Sequence, residues 1–492
     1  MLESSEQLIQ KILSNDAFKN IDKCLIEKRY FTDNVYLANE KSLIKNVQVS
    51  NIISEIKPEG ITINQSGTYT FSKNIIWKPI SDSTAITITV SNVTIDMKGF
   101  YLKCCNPKNY KTTAIGAQNV SNLILTNNKI LYSSFYGIQI VSSTGITITN
   151  TLIYGINYKN LNIRLLTPCG IFISKSSQIK ISGSEVKNLD VTTDSCAGIQ
   201  LSECTDGNVL SCKVKNLINN DGAVQGFSCL LSSNITHDSC KSIGLQSFFN
   251  GNILTSGHTV LGFCPIFSEN IVYTNCLAAN LTGCCDDCHG ISIFLDIACT
   301  VKGFTSYNIV DGVTQTNSGA KATGIEIYGL FCTVDSCYAK NIKAINPQDK
   351  QSAGFSCSGV GNIFRNCRAK NVVVVNEFGQ SCKKIGFGVG YGWAPDPRPE
   401  FRELYAFNTL YEGCTSTSCQ VAFDTFNHIN SVWKNITSTN SGVCLLVNPG
   451  SIRTLSCNPC SECNPPINYV AVNVATGNQY SNVKCNENCG CK

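Results

Sequence analysis

The segment GIQIVSSTGITITNTLIYGIN, residues 137–157, decides the fold, because it returns along the chain with the same internal pattern. GIFISKSSQIKISGSEVKNL follows at 170–189 and GIQLSECTDGNVLSCKVKNL at 198–217. Later copies start at glycines 28 to 36 residues apart: Gly226, Gly262, Gly290, Gly324, Gly354 and Gly386. A recurring unit of about 28 residues with insertions indicates a solenoid, in which each unit packs on its neighbours.

Apolar residues alternate within short runs of each copy, which is the pattern of β-strands. In the copy at 137–157, Ile138 and Ile140 precede an SST turn, and Ile146 and Ile148 follow it. Three such runs per copy cannot bury an apolar face alone, whereas stacked copies enclose a shared interior. Strands lie about 4.8 Å apart, so about a dozen coils would form a rod on the order of 60 Å long. We therefore predict an all-β chain wound as a parallel β-helix.

Cysteine and asparagine recur in phase with the repeat glycine. Cysteines follow that glycine by 13 or 14 residues in five copies: Cys212, Cys240, Cys276, Cys337 and Cys367. Asparagines stand four residues beyond that position in most copies: Asn188, Asn216, Asn280, Asn308, Asn341 and Asn371. We predict internal ladders, with cysteine as a small apolar side chain and asparagine at a left-handed bend, bonding to the next copy. Disulfides between neighbouring coils are the alternative, because a step of about 4.8 Å is compatible with disulfide geometry.

Three segments in the first part of the chain carry a family resemblance. They are GTYTFSKNIIW (67–77), AITITVSNVTIDMKGFYL (85–102) and NVSNLILTNNKILYSSFYGIQI (119–140). These segments resemble the opening coils of right-handed parallel β-helix proteins of the pectate lyase-like superfamily, and the likeness extends over about 64–445. The resemblance implies a right-handed coil with three strands per turn. The cysteine-rich, Asn/Ile-rich composition is also similar to that of β-helix proteins of giant DNA viruses, which implies a particle protein.

Composition narrows the class of function. Charged residues make up 15% of the chain, against roughly 25% in an average globular protein. The net charge is +5, and no basic stripe of the kind that follows a phosphate backbone is visible, so we expect no nucleic acid partner. No apolar stretch reaches the roughly 18 residues of a membrane span, and the N-terminus does not resemble a secretory signal. We expect no membrane span and no signal peptide.

The 29 cysteines of the chain set two expectations against each other. Thiols stay reduced in a cytoplasm, yet such a density is typical of disulfide-bonded proteins. Synthesis in the cytoplasm followed by oxidation during assembly into a particle would satisfy both. The predicted location is therefore a virion surface or another particle, with the cytoplasm as the alternative.

The two ends of the chain differ from the repeat. Residues 1–55 begin with leucine and isoleucine at helical spacing, which predicts an amphipathic helical cap or an anchor to other particle proteins. Residues 56–450 are assigned to the β-helix. Residues 451–492 are assigned to a cysteine-rich C-terminal cap.

Six cysteines lie close together in the C-terminal cap: Cys457, Cys460, Cys463, Cys485, Cys489 and Cys491. They supply more than the four thiolates of a structural zinc site. Their spacing does not give two regular C-x2-C pairs, so three disulfides are the favoured interpretation and zinc is the alternative. No cofactor is predicted.

The catalytic patterns of the related enzymes are not met in this sequence. GCCDDCHG (283–290) is rich in ligand-type side chains, but adjacent residues cannot all face one ion, and we predict a polar turn. Asp287 and His289 of this run do not reproduce the paired aspartates and His-Gly pair that polygalacturonases carry on successive coils. Strand-borne acids such as Glu326 do not recur at coil spacing, as the calcium ligands of pectate lyases would.

The insertion YGWAPDPRPEFRELYAF (391–407) is the candidate functional surface. Aromatic rings beside bidentate donors are suited to sugar binding: Tyr391, Trp393, Arg398 and Arg402. Asp396 and Glu400 are the candidate acid and base if the chain is a glycosidase. The alternative is a loop that its prolines pack against the rod or against a neighbouring chain.

Our leading hypothesis is a structural and adhesive β-helix protein, a fibre or layer component of a virion surface with a glycan-facing loop. Rods of this type often form homo-oligomers, and we expect self-association, with a trimer as the first candidate. A polysaccharide lyase or glycoside hydrolase on the same fold is the first alternative, because fold alone does not set function. A zinc-stabilised cytoplasmic scaffold is the second.

Overall fold

The computed structural model describes most of the chain outside the N-terminal segment and several inserted loops. The described residues are 10–11, 14, 51–105, 110–159, 167–248, 258–284, 287–312, 321–345, 352–375, 388–392, 405–447, 452–456, 468–472 and 475–486. Within them, three parallel sheets of 16, 15 and 15 strands run the length of a β-helix. We name them sheets A, B and C, in the order in which each coil passes through them.

The strands of each sheet follow one another along the axis of the rod. Sheet A consists of Ile61–Ile63, Ser83–Ile88, Thr112–Gln118, Tyr136–Val141, Cys169–Ser174, Ser195–Ser202, Ala223–Leu230, Val260–Ile266, Asp287–Ile297, Lys321–Leu330, Ser352–Val360, Gly388–Gly392, Val421–Asp424 and Val443–Leu446, with Ala406–Phe407 and His428–Ile429 at its side. Sheet B consists of Ile52–Ile53, Gly67–Phe71, Val93–Asp96, Ser121–Thr126, Thr144–Thr149, Ser177–Ser182, Thr205–Leu210, Ser233–Asp238, Val272–Thr274, Thr300–Lys302, Thr333–Asp335, Ile363–Arg365, Leu410–Glu412, Val432–Lys434 and Gln479–Ser481.

Sheet C and one hairpin complete the described strands. Sheet C consists of Ile75–Trp77, Leu102–Cys104, Lys129–Leu131, Leu152–Tyr154, Glu185–Val191, Lys213–Asn219, Lys241–Ile243, Leu277–Thr282, Thr305–Asp311, Tyr338–Ile345, Arg368–Val375, Thr415–Thr417, Thr437–Thr439 and Lys484–Cys485, with Gln246–Ser247 at its side. The hairpin pairs Ile452–Ser456 with Asn468–Val472 in antiparallel order. The prediction of a parallel β-helix is confirmed, with about fourteen coils where about a dozen were expected.

The ends of the rod differ from the predicted caps. No helical cap is seen in the part of residues 1–55 that the structure describes. Lys11 there is helical and its Nζ lies 2.7 Å from Glu269 Oε1, alongside a coil in the middle of the rod. Strand Ile52–Ile53 already belongs to sheet B. At the other end, Gln479–Ser481 and Lys484–Cys485 continue sheets B and C into the predicted C-terminal cap.

The interior is a continuous apolar column, because the alternating residues of all three sheets face one axis. Ile138, Ile171 and Ile199 stack in register on successive strands of sheet A and are fully buried. Within the described residues, no helix forms an apolar segment long enough to cross a membrane.

The repeat glycines mark the corner where sheet A meets sheet C. A Cβ on Gly198 would lie 2.4 Å from Val214 Cγ1 and 2.7 Å from the carbonyl oxygen of Gly226 in the next coil. Neither distance leaves room for a side chain, so the corner requires glycine. The prediction was wrong for one late copy. Gly390 takes this position, since its carbonyl oxygen lies 2.8 Å from a Cβ built on Gly354, whereas the assigned Gly386 lies outside the described residues.

The predicted cysteine ladder is present in the interior. The amides of the residues after Cys240 and Cys276 donate to the carbonyl oxygens of Cys212 and Cys240, so these residues stack coil on coil. Phe304 interrupts the column before Cys337 and Cys367 continue it. All five cysteines are buried free thiols, and burial raises the pKa of the Cys367 thiol well above its usual range. Among the described cysteines, only Cys444 and Cys485 form a disulfide, with Cα atoms 5.9 Å apart.

The predicted asparagine ladder runs along sheet C. Each of its members has a left-handed backbone with φ between 53° and 58°: Asn188, Asn216, Asn280, Asn308, Asn341 and Asn371. Amide Nδ2 of Asn341 donates to Asn308 Oδ1 over 2.9 Å, and Asn371 donates to Asn341 over 3.1 Å. Gly244, also left-handed, takes the place of asparagine in the coil between Asn216 and Asn280. The ladder satisfies side-chain amides from one coil to the next.

Candidate functional site on the outer face of sheet A

Polar side chains form a strip along the outer face of sheet A. They occupy the variable position of the G-I-x-I repeat, which points away from the interior: Gln139, Gln200, Ser228, Ser292, Glu326 and Ser356. Apart from Gln200, these residues are buried. The strip from Gln139 to Ser356 crosses seven steps between coils, or roughly 34 Å, and Phe172 and Cys264 interrupt it in two coils. A buried polar strip outside the apolar interior is the first place to look for function.

Three ionisable side chains meet within this strip and form what we call the sheet A cluster: His289, Lys321 and Glu326. Lys321 Nζ donates to Glu326 Oε1, and Ser292 Oγ donates to Glu326 Oε2 over 2.9 Å. His289 Nδ1 lies 3.2 Å from the same Oε2, at an angle that makes it a close contact rather than a hydrogen bond. One carboxylate therefore faces a cation, an imidazole and a hydroxyl.

Neighbouring residues hold the lysine of this cluster in place. The backbone amide of Lys321 donates to Asp311 Oδ2 over 2.8 Å, and Lys321 Nζ stands 5.5 Å from the centre of the Tyr328 ring. Asp287 Oδ1 lies 3.9 Å from His289 Nε2. These contacts place two further carboxylates and an aromatic face around the lysine and the imidazole.

An apolar cluster adjoins the charged one on the same outer face. Its members are Leu230, Leu231, Leu261, Cys264, Ile266, Phe267, Phe294, Leu295, Ile297, Tyr328 and Leu330. Asp296 lies beside this cluster, fully buried at an irregularity of the strand pairing, and accepts hydrogen bonds from the amides of Ser268 and Phe294. Burial raises the pKa of the Asp296 carboxyl well above its usual value. The outer face of sheet A is thus a second packed layer.

Burial limits what the sheet A cluster can do. The exposed fraction is 1% for His289 and Lys321 and 3% for Glu326. Buried charges are expensive unless they are paired, and removing one partner leaves the others uncompensated. The arrangement is suited to proton transfer, since a carboxylate beside an imidazole is an acid and base pair, but a substrate must first reach it. No group of ligand-type side chains able to hold a metal ion occurs within the described ranges.

Several polar atoms of the sheet A strands, in the strip or beside it, have no hydrogen-bond partner among the residues that the structure describes. They are Gln139 Nε2, Ser174 Oγ, Gln200 Oε1, Thr323 Oγ1, Ser356 Oγ and Ser358 Oγ. Buried polar groups are normally paired, and unpaired ones call for an explanation such as a bound ligand. Because these atoms are buried, an ordered water molecule is the simplest partner for them.

Tyr391 is in a different place from the one the sugar-binding hypothesis requires. Its ring is fully buried in the interior, stacked 4.8 Å from Phe355 and 5.2 Å from Phe423. Its hydroxyl donates to the carbonyl oxygen of Thr415 over 3.1 Å. Both faces of the ring are therefore covered, and Tyr391 is a core residue. The other candidates in the insertion lie outside the described residues: Trp393, Asp396, Arg398, Glu400 and Arg402.

The C-terminal cysteines are described only at Cys485. Its bond is to Cys444, a β-helix cysteine, so the pairing reaches beyond the predicted cap. A disulfide sulfur is not a thiolate, which removes Cys485 from a zinc site in this structure. The remaining five lie outside the described residues: Cys457, Cys460, Cys463, Cys489 and Cys491.

The sheet A cluster was missed in the sequence because the run 283–290 was interpreted as a turn. Asp287–Ile297 is a strand of sheet A, and His289 lies within it. The spacing of 34 residues between Gly290 and Gly324 does place Ser292 beside Glu326, a signal that register alone could supply. The same spacing places Lys321 beside Asp287 on the neighbouring strand, so register supplies a signal for this lysine as well.

The sequence and the fold are similar to known β-helix proteins. The family described as right handed beta helix region matches residues 33–194 and 101–260. The chain therefore contains a right-handed β-helix region, as the resemblance implied. Among curated proteins, no sequence matches this chain.

Three solved structures illustrate the likeness. The catalytic domain of an α-1,3-glucanase in complex with tetrasaccharides is 12% identical over 79% of this chain and 61% of its own, with a TM-score of 0.30. An alginate lyase is 8% identical over 88% and 86%, with a TM-score of 0.31. The tailspike protein of E. coli bacteriophage HK620, in complex with a pentasaccharide, is 13% identical over 87% and 74%, with a TM-score of 0.34. This chain thus spans less than two thirds of the glucanase domain, and identities this low carry no information about its activity.

Proposed function

We propose that the protein is a structural and adhesive rod that displays binding surfaces on its outer faces. The observation that supports this proposal is the continuity of the stacked columns. Glycine, cysteine and asparagine each repeat from coil to coil, and hydrogen bonds of the backbone and the asparagine ladder run along the axis. Such a solenoid resists bending, because every coil is held by both neighbours.

The adhesive part of the proposal concerns carbohydrate. The unpaired polar atoms on the outer face of sheet A are buried, so they would meet the hydroxyl groups of a glycan only after the layer that covers them opened. The insertion 391–407, with its tryptophan and arginines, is a second surface to which we assign glycan binding. Assembly as a homo-oligomer, attachment through residues 1–55 and location on a virion surface belong to the same proposal.

A polysaccharide-cleaving enzyme is the second candidate, and the sheet A cluster is the observation that favours it. Glu326 and His289 form an acid and base pair beside a cation, which is an arrangement for proton transfer. Access to this pair would require the outer layer of sheet A to open. Asp396 and Glu400 remain a separate candidate pair.

Incubation of the purified chain with neutral and acidic polysaccharides separates the two functions. We expect binding without release of reducing ends or unsaturated products. The matched variants are Glu326→Gln, which keeps the shape of the side chain, and the double variant Asp396→Ala/Glu400→Ala. Products that disappear with either variant, while the far-ultraviolet circular dichroism stays unchanged, would establish an enzyme and overturn the structural assignment.

A further inference from the structure

Cations that form no ion pair with the described residues cover part of the outer face of sheet C. The face is built by three successive strands, Thr305–Asp311, Tyr338–Ile345 and Arg368–Val375. Their outward side chains form what we call the sheet C patch: Tyr307, Tyr338, Lys340, Lys343, Arg368 and Lys370. Tyr307, Lys340 and Lys370 stack in one column, and Tyr338 and Arg368 stack in the next. The patch is thus a flat grid on a rigid sheet.

The four cations of the patch form no ion pair with any acid among the residues that the structure describes. Three described acidic side chains near the patch in sequence are engaged elsewhere. Asp335, three residues before Tyr338, accepts hydrogen bonds from Ser336 Oγ and Asn366 Nδ2. Asp311 is buried and accepts the Lys321 amide. Glu412 pairs with Lys434 and Arg365, and these cations hold the pKa of its carboxyl below its usual value. The positive charge of the patch is therefore not neutralised by any acid that the structure describes.

A second group of lysines on the same sheet shows what a partly neutralised face looks like. Lys187 and Lys215 stack in the same column as Lys340 and Lys370, several coils away. Glu185 lies between them, with its Oε2 at 3.7 Å from Lys187 Nζ and its Oε1 at 3.2 Å from Lys215 Nζ. The lysines near Glu185 are thus paired with a carboxylate, whereas the cations of the sheet C patch remain available to bind an anionic partner.

The geometry of the patch selects the shape of its partner. Charges repeat along the axis at the strand spacing, about 4.8 Å, and along each strand at about 6.7 Å for alternate residues. The backbone beneath is fixed by the hydrogen bond from Asn371 to Asn341. Lys340 Nζ stands 5.5 Å from the centre of the Tyr307 ring, which is itself 36% exposed. A ribbon-like polymer with regular negative charges would lie flat on this grid.

Two kinds of polyanion differ in their fit. Each strand of a nucleic acid duplex advances about 3.4 Å per phosphate around a curved surface, which matches neither the step nor the flatness of the sheet. A linear polysaccharide is a flat ribbon whose sugar repeat is of the same order as the step between coils. We therefore propose that the sheet C patch binds an anionic polysaccharide, with carboxylate or sulfate groups facing Lys340, Lys343, Arg368 and Lys370. This inference deepens the adhesive function proposed above and names its ligand class and surface.

The proposal is tested with three polymers that share one backbone: carboxymethyl dextran, dextran sulfate and neutral dextran. We expect the full chain to bind the two charged polymers at low salt and not the neutral one. The variant Lys340→Gln/Lys370→Gln should weaken binding by about tenfold, and added salt should weaken it further. The control Lys187→Gln/Lys215→Gln removes the same charge in the same column and should leave affinity within about twofold. The difference in affinity between carboxymethyl dextran and dextran sulfate shows whether the patch prefers carboxylate or sulfate groups.

Three outcomes would overturn the proposal. They are no binding of either charged polymer at low salt, an equal loss in the two double variants, and tighter binding of single-stranded oligothymidylate than of the charged dextrans. If the chain binds an uncharged glycan and the patch variants do not change that binding, the patch proposal is contradicted and the proposed adhesive function is retained. If the chain cleaves a glycan while the patch variants still weaken binding of the charged polymers, the structural function is contradicted and the patch proposal is retained.

Discussion

Replacing Gly198 by alanine should lower the free energy of unfolding by about 3 kcal/mol, because a side chain at this corner has nowhere to go. The new Cβ would meet both methyl groups of Val214 at 2.4 and 2.6 Å, and the carbonyl oxygen of Gly226 at 2.7 Å. The carbonyl belongs to the backbone of the next coil, so relief requires the coils to move apart. In a solenoid that movement breaks the contacts on which both neighbours depend. Urea denaturation followed by circular dichroism measures the loss.

Gly116→Ala is the matched control on the same sheet. Its backbone does not have a positive φ, and the atom nearest to a new Cβ is Thr84 Cγ2 at 3.1 Å, the end of a side chain that can shift. We expect a change of less than about 1 kcal/mol. Equal destabilisation by the two substitutions would show that the corner has no special role, and no destabilisation by Gly198→Ala would contradict the stacked glycine column.

Replacing His237 by phenylalanine should make the rod more resistant to acid. The imidazole lies in the interior, 4.8 Å from the Tyr273 ring and edge-on to Phe227 and Phe263. Its Nδ1 has no hydrogen-bond partner among the described residues. Burial lowers the pKa of His237 to about 3. Phenylalanine keeps the aromatic packing and removes the group that must be protonated.

The sign of the effect follows from this depressed pKa. Below about pH 6.5 the histidine is protonated in the unfolded chain but stays neutral in the folded chain, which favours unfolding. The stability contributed by the neutral ring is therefore fully present only above that pH. It is lost as the pH falls toward the pKa of the folded state. The difference in free energy of unfolding between His237→Phe and the parent chain should therefore be about 2 kcal/mol larger at pH 5 than at pH 7, in favour of the variant. Urea midpoints at the two pH values give this difference directly.

Other buried groups also make stability depend on pH, but they contribute equally to the variant and to the parent chain. Burial lowers the pKa values of His258 and His428 to about 4, while it raises that of Asp221 to about 6. All three are unchanged by the substitution at position 237. Tyr273→Phe is the control, because it alters the adjacent ring without a group that titrates between pH 5 and 7. A pH-independent effect of His237→Phe would show that the imidazole is not buried as a neutral ring.

Register made the fold and its ladders predictable. Because each coil repeats the same period, the spacing from Gly170 to Ser184 or from Gly198 to Cys212 already placed those residues in one column. The left-handed asparagines followed from the same arithmetic, since Asn216 and Asn188 occupy equivalent bends. Local sequence and global stacking agree in these coils, as they do in sequences that specify one structure.

The site was less predictable, because insertions interrupt the register where function concentrates. Lys321 and Glu326 lie five residues apart on one strand, Lys321–Leu330, and the alternation of a regular strand would put them on opposite faces of the sheet. Tyr391 looked like part of a surface loop, yet it is the aromatic residue that fills the interior above Phe355. The sheet C patch was overlooked for another reason. Lys340 and Lys370 each stand 16 residues after a repeat glycine, so register already stacks them, but the ion pairs that distinguish them from other lysines of the column are not visible in the sequence.

The distance between labelled positions in one column of sheet C tests the central claim most directly. Lys129, Lys213 and Arg368 lie in the same column and face outward, and five steps separate the last two while eight separate the first and last. Spin labels introduced there as noncanonical amino acids should give double electron–electron resonance distances of about 24 Å for Lys213 to Arg368 and about 38 Å for Lys129 to Arg368. Distances that grow in proportion to the number of coils are the predicted result. Distances that do not increase with the number of intervening coils would contradict it.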